Sequence, residues 1–328
     1  MQVPVFSTFG CTLQTYGNSL QMAAVDTDCA GLKAAMKGLG TDEDAIINIL
    51  ANKNTMHRYM VKQRYFQLYN KDLVKELKSE LSGHFEDAII ALLDSPYELD
   101  CHALYEAMHR LGTNEDTLIE IIATRPAYQL AQDKILFNQL YGKDLVQYIS
   151  SETSGHFRNV LIGMLNCQRH DYNYPLNDQE LQQEAQLLYN SGAGRWGTNE
   201  TVFERIFTTR SPPEIARIAE FYQKIAGVDL LTSIKKEFSG NVEKLISSIF
   251  YASINAPEWF ATRVRDAVEG AGTKDKALIR IIVSRKDVDL GMIKTAYNKL
   301  YGRDMINDIR NDTKGDYKKL LTTILNYC

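Results

Sequence analysis

The chain has 328 residues, 45% of them hydrophobic and 24% charged, enough for two ordinary domains or one repeat array and too apolar for a disordered polymer. Its 37 Lys and Arg against 41 Asp and Glu leave a formal charge of −4, so no global basic field draws it onto nucleic acid or anionic lipid. Any partner of that kind needs a local or an added charge. The five cysteines, Cys11, Cys29, Cys101, Cys167 and Cys328, make neither a CxxC nor an even-numbered set, which points to a reducing cytosol.

Residues 1–19 read as a tail. No charged side chain occurs before Asp26, yet polar residues and Pro4 interrupt the start throughout, so it lacks the basic head and apolar core of a secretion signal. No run of about 18 apolar residues is present to span a bilayer. The Met-Gln start and the final Cys328 match neither a myristoylation nor a prenylation box. The expectation is a chain that is not exported, spanning or lipidated.

From there one string recurs: Gly38-Leu39-Gly40-Thr41, Leu111-Gly112-Thr113, Trp196-Gly197-Thr198 and Gly270-Ala271-Gly272-Thr273. The last glycines are 72, 85 and 75 residues apart. Counted forward from each, position +13 is Lys53, Arg125, Arg210 and Arg285, and +32 is Asp72, Asp144, Asp229 and Asp304. Position +40 is always an acid, Glu80, Glu152, Glu237 and Asp312, and +43 is always glycine. Four copies in register exclude chance. They divide the chain into repeat one at 20–94, repeat two at 95–167, a polar connector with Pro175 at 168–178, repeat three at 179–252 and repeat four at 253–328. The extra residues of the longest spacing lie mostly in the connector, which suggests a pseudo-twofold pairing of halves.

Within each repeat the apolar residues keep helical spacing. Positions +6, +9 and +10 are Ile46/Ile49/Leu50, Leu118/Ile121/Ile122, Phe203/Ile206/Phe207 and Leu278/Ile281/Ile282, one face of an amphipathic helix. Positions +49, +52 and +53 repeat the pattern and strand-like alternation is absent, so the fold class is all-α with about five short helices per repeat. In each, a first helix ends at the glycine string. The next begins at Thr-Asp or Thr-Asn, or Thr-Lys in repeat four, with an acid two beyond the Thr, which reads as a threonine N-cap. The +32 aspartates are expected to cap the fourth helix, and the +13 bases to pair with acids or cap helix ends.

A Gly-x-Gly turn with an acid forty residues later is, in one copy, only a pair of helix caps. Four copies carry a second reading, a Ca2+ site, because calcium takes six to eight oxygens and accepts backbone carbonyls together with a carboxylate. One acid per ion leaves net positive charge and open positions that a lipid phosphate can fill, which couples ion and lipid binding reciprocally. Four ions would turn the net −4 into +4 on one face. Lys37, Arg110 and Arg195 in the loops suit phosphate, while Leu39, Leu111 and Trp196 are loop residues that helix packing does not demand; Trp suits the bilayer interface.

With these strings, above all Met36-Lys37-Gly38-Leu39-Gly40-Thr41 and its +40 acid, the chain resembles the annexin family over about residues 20–328. The resemblance implies four homologous five-helix repeats in a curved disc and reversible Ca2+-dependent binding to acidic phospholipid membranes. By position it implies the carbonyls of Met36, Gly38 and Gly40 with Glu80 in repeat one, and those of Val268, Gly270 and Gly272 with Asp312 in repeat four. In repeat three the longer loop implies Gly192, Arg195 and Gly197 with Glu237. Repeat two departs: Met108, Arg110, Gly112 and Glu152 occupy the positions, but arginine replaces the first glycine, so it is the weaker candidate. Thr41 and Glu43 are an accessory calcium position by resemblance and an N-cap by their own residue types. Lys37, Leu39 and Trp196 are the implied lipid contacts.

The resemblance also places Asp100, Glu120, Arg125, Arg280 and Arg285 near a central polar channel. It further implies a protein partner or phosphorylation in the tail, where Ser7, Thr8, Thr12, Thr15 and Tyr16 carry hydroxyls, a monomer in solution with lateral assembly on membranes, and a cytoplasmic protein peripheral to the membrane. No nucleic-acid partner and no enzyme are expected: the six histidines form no HExxH, and no GxSxG or P-loop string occurs. The rival reading is a calcium-independent helical scaffold.

Overall fold

The computed structural model describes residues 19–38, 40–109, 112–192, 199–270 and 272–327, and among them there is no strand. Repeat one contains α1 (Ser19–Ala35), α2 (Glu43–Leu50), α3 (Thr55–Tyr69), α4 (Leu73–Glu80) and α5 (Gly83–Leu93). Repeat two repeats the order with α6 (Pro96–His109), α7 (Glu115–Thr124), α8 (Ala127–Tyr141), α9 (Leu145–Glu152) and α10 (Gly155–Leu165). Repeat three has α11 (Asp178–Ser191), α12 (Glu200–Thr209), α13 (Pro212–Ala226), α14 (Leu230–Glu237) and the first part of α15 (Gly240–Val268). That helix breaks at Asn255, at φ −155° and ψ 83°, just ahead of Pro257. The Asn255 side chain then accepts from the Glu258 N–H, capping the second part as the first helix of repeat four. Repeat four continues with α16 (Asp275–Arg285), α17 (Leu290–Tyr301), α18 (Met305–Asp312) and α19 (Gly315–Tyr327). Five helices per repeat therefore hold in all four.

The periodic apolar residues form the core. Every member of the +6, +9, +10 and +49, +52, +53 sets is buried except Ile49. Ile49 is half-exposed and still packs on the backbone of α1: a Cβ on Gly31 would stand 2.8 Å from its Cδ1. Gly31 lets the first two helices approach this closely.

The +32 aspartates cap the fourth helices as expected. Asp72, Asp144, Asp229 and Asp304 accept from the backbone N–H three residues on, in α4, α9, α14 and α18. Replacing Asp144 with Ala is expected to cost about 1 kcal/mol, read as a lowered urea midpoint, while Asn should retain most of it. Equal midpoints for all three would show that packing alone holds α9. The threonine N-cap is corrected: Asp42 and Asn114, one residue later, cap α2 and α7 through their side chains. Asn199 and Lys274 hold the same position without a side-chain bond to the helix backbone, and the Asn199 amide oxygen accepts instead from the Thr201 hydroxyl at 2.7 Å.

The chain forms two compact units, one of residues up to Leu99 with those from Ala261 onward, the other from Asp100 to Phe260. In the first, α5 packs against α16, and α19 against α2 and α5, so repeat four packs on repeat one. Lys319 pairs with Asp44, and Asp287 accepts from the Thr55 N–H and hydroxyl at 2.7 Å. In the second, α10 packs against α12, and Lys244 reaches Asp116 at 3.3 Å. The connector thus lies inside a compact unit instead of between two. It is tied there by Arg169, which donates to the Arg210 carbonyl at 2.7 Å, and by the His170 N–H on the Thr209 carbonyl at 2.9 Å.

The +13 bases pair with acids. Lys53 meets Asp28, Arg210 meets Glu180, Glu184 and Glu214, and Arg285 holds Asp289 with two bonds of 2.7 Å. Arg125 is 3% exposed and grips Asp100, 1% exposed, with two bonds of 2.8 Å. Cys29 and Cys101 are buried free thiols and Cys167 is part-exposed; burial pushes the Cys29 thiol up to about 11.

Candidate calcium loops

In every repeat a backbone bond between described residues closes the loop between the first and second helices. The N–H of Asp42 donates to Ala35 at 2.9 Å, Asn114 to Ala107 at 2.8 Å, Lys274 to Ala267 at 2.8 Å and Asn199 to Ser191 at 2.7 Å. The closed segment is one residue longer in repeat three, in keeping with the longer loop read from its sequence. Inside it the chain turns on glycines whose φ is positive: 114° and 88° at Gly38 and Gly40, 118° and 99° at Gly270 and Gly272, and 85° at Gly112. The values near 115° lie where L side chains rarely go, which explains glycine at that position in repeats one and four.

The threonine after each second glycine has another task than capping. The Thr41 hydroxyl donates to Glu80 at 3.2 Å, Thr273 to Asp312 at 2.5 Å, and Thr113 reaches Glu152 at 3.5 Å. An ionised carboxylate only accepts, so a hydroxyl is the neutral group that can tie it to the loop and leave its charge intact. Glu80, Glu152 and Asp312 form no ion pair among the described residues. Past the acid, the +43 glycines Gly83, Gly155, Gly240 and Gly315 stand at φ 58–64°, and this left-handed residue turns the acid-bearing helix into the next.

In repeats one and four the structure therefore brings together the residues singled out by sequence: Met36, Gly38, Gly40 and Glu80, and Val268, Gly270, Gly272 and Asp312. Lys37, Gly38, Gly40 and Glu80 are exposed, and Met36 and Val268 half-exposed. In repeat three Gly192 lies against its acid: a Cβ there would stand 3.2 Å and 3.3 Å from Cγ and Cδ of Glu237. Arg195, Gly197 and Trp196 lie outside the described residues, as do Leu39, Arg110, Leu111 and the tail hydroxyls. Glu43 and Glu80 line one open cavity of about 290 Å³, and Glu115 and Glu152 another of about 620 Å³. His84 and His156, at one offset, are exposed and pair with Asp275 and Glu204.

The donor set fits calcium. It consists of hard oxygens, one carboxylate with several carbonyls, and among the described residues no cluster of three or more His, Cys, Asp or Glu offers a softer metal a home. Sequence reasoning missed the threonine ties. It also missed position +36, which is Glu76, Tyr148, Ser233 and Asp308. There Glu76 takes Lys33, Lys71 and the Tyr65 hydroxyl, and Asp308 takes Arg265, Arg303 and the Tyr297 hydroxyl. Burial raises the Glu76 carboxyl, but Lys71, Tyr65 and Lys33 together bring it down to about 2. These clusters fasten the fourth helix to the first one turn before the acid, and the shared offset was the available signal.

The annexin family model matches residues 27–92, 99–164, 183–249 and 259–324. Human annexin A7 is 42% identical over 298 residues, 91% of this chain and 61% of that protein, so the chain spans about three-fifths of this relative. The structure of annexin III superposes with a TM-score of 0.90 at 38% identity, covering 92% of this chain and 93% of that one. Calcium-bound annexin (Sm)1 does so with 0.84 at 32%, covering 94% and 91%. No described helix is long and apolar enough to cross a membrane. Calcium-dependent phospholipid binding is the general property of the matched family. With four matched segments, each carrying its loop and its acid, the chain belongs to the annexin family.

Proposed function

We propose that this chain binds acidic phospholipid membranes reversibly, with Ca2+ held in repeats one, three and four. The ligands are the carbonyls of Met36, Gly38 and Gly40 with Glu80, those of Gly192, Arg195 and Gly197 with Glu237, and those of Val268, Gly270 and Gly272 with Asp312. Bound Ca2+ supplies the positive charge and the open coordination positions that a lipid phosphate fills. The chain's own part is to hold the carbonyls in a closed turn and keep one ionised acid facing them. Lys37 adds charge at the rim, and Leu39 and Trp196 enter the interface. The observation that carries this reading is the threonine tie, which sets the +40 acid beside the glycine turn in repeats one and four.

The protein acts as a cytoplasmic monomer that becomes peripheral at the membrane when calcium rises and assembles laterally there, and the tail offers a protein partner its site. Vesicles of phosphatidylserine and phosphatidylcholine are expected to sediment the protein with Ca2+ and release it with chelator. Equal sedimentation in both conditions would instead favour a calcium-independent scaffold.

A further inference from the structure

Repeat two does not fit the ion as its neighbours do, and the reason lies beyond its arginine. Position +36 is a carboxylate in repeats one and four. A carboxylate can only accept, so Glu76 and Asp308 turn to the basic residues around them. In repeat two the position is Tyr148, and its hydroxyl donates to the carbonyl of Met108 at 3.2 Å. That is the carbonyl corresponding to Met36 and Val268. Among the described residues no side chain donates to either of those two. Met108 is also 2% exposed, whereas Met36 and Val268 are half-exposed.

The rest of the cluster has changed with it. The base at −7, Lys33 and Arg265 in repeats one and four, is Tyr105 here, stacked on Tyr141 at 3.9 Å and on His109 at 4.6 Å. Lys143 sits 3.9 Å from the centre of the Tyr148 ring. Aromatic packing thus replaces the ion pairs and aims a donor, not an acceptor, at the loop.

We infer that Tyr148 closes repeat two to calcium by competing with the ion for the Met108 carbonyl, a second lock beside Arg110. This rests on the calcium reading of the other loops. The test counts Ca2+ bound per chain on phosphatidylserine vesicles by equilibrium dialysis. Glu152→Gln is expected to leave the wild-type count unchanged, and Arg110→Gly alone to add nothing. Arg110→Gly with Tyr148→Phe, which keeps the stacked ring and drops the donor, should add one ion, and Glu152→Gln on top should remove it.

Thermal midpoints within the wild-type range identify the variants that remain folded. A gain from Arg110→Gly alone, no gain from the double variant, or a loss from Glu152→Gln in the wild type each overturns the inference. A wild-type count of zero would overturn the calcium reading of repeats one, three and four, and the double variant would still decide the role of Tyr148.

Discussion

Glu80→Gln, Glu237→Gln and Asp312→Asn combined are expected to raise the calcium midpoint for vesicle binding by well over tenfold. Each amide keeps an acceptor oxygen but removes the charge that holds a divalent cation among otherwise neutral carbonyls. A loss of about 1.4 kcal/mol at one site is already tenfold in affinity. The three loops engage one surface together, so weakening all of them also forfeits their mutual reinforcement. The substitutions should leave folding intact, because Glu80 is exposed, neither Glu80 nor Asp312 holds an ion pair among the described residues, and an amide still accepts from the loop threonine. Sedimentation against calcium concentration reads the shift. An unchanged midpoint in the triple variant would remove these acids from the site.

How far the residues alone carried the fold follows from the repeats. Four copies act as an alignment of the chain with itself, so the glycine turns, the +40 acids and the +32 caps were each visible as one residue type at one offset. The threonine at +1 was equally visible, yet its hydroxyl has two partners within reach in principle. Only the geometry decides for Glu80 and Asp312 over the helix N-terminus. The packing of repeat four on repeat one was not legible, since the apolar faces of α5 and α19 look the same whichever neighbour covers them. The exceptions at shared offsets, Tyr148 at +36 and Asp133 at +21, were on view but carry meaning only beside the groups they touch.

Asp133 is the more consequential of these exceptions for stability. The same offset is Val61, Ile218 and Ile293 in the other repeats, all buried and apolar, and Asp133 is fully buried with neither carboxyl oxygen hydrogen-bonded. Burial and the Asp100 charge push its carboxyl well above the usual carboxylate range, against the pull of Arg125. Around it stand Asp100 and Cys101 on α6, Arg125 at the end of α7, Lys134 beside it on α8, and Cys167 beyond α10. Among the described residues Arg125 is therefore the one cation that the Asp100 carboxylate grips, helped by the Gln129 amide at 2.7 Å.

Arg125→Met is expected to cost about 3–5 kcal/mol, because it leaves a buried carboxylate facing only an amide. Asp133→Val should move stability the other way by about 1–3 kcal/mol, since it removes an unpaired buried polar group and restores the residue type of the other repeats. The sign with pH follows from the raised carboxyl. Folding takes up a proton at Asp133 between its unfolded value near 3.8 and the higher folded one, so the wild type loses stability as pH climbs through that window, by at most about 1.4 kcal/mol per unit. The valine variant lacks this slope, and its advantage should be wider at pH 8 than at pH 5. Urea midpoints of the three proteins at both pH values measure it. An equal gap at the two pH values would mean that Asp133 is ionised and paired when folded, and an Arg125→Met cost below about 1 kcal/mol would mean that Asp100 relaxes onto water or another donor.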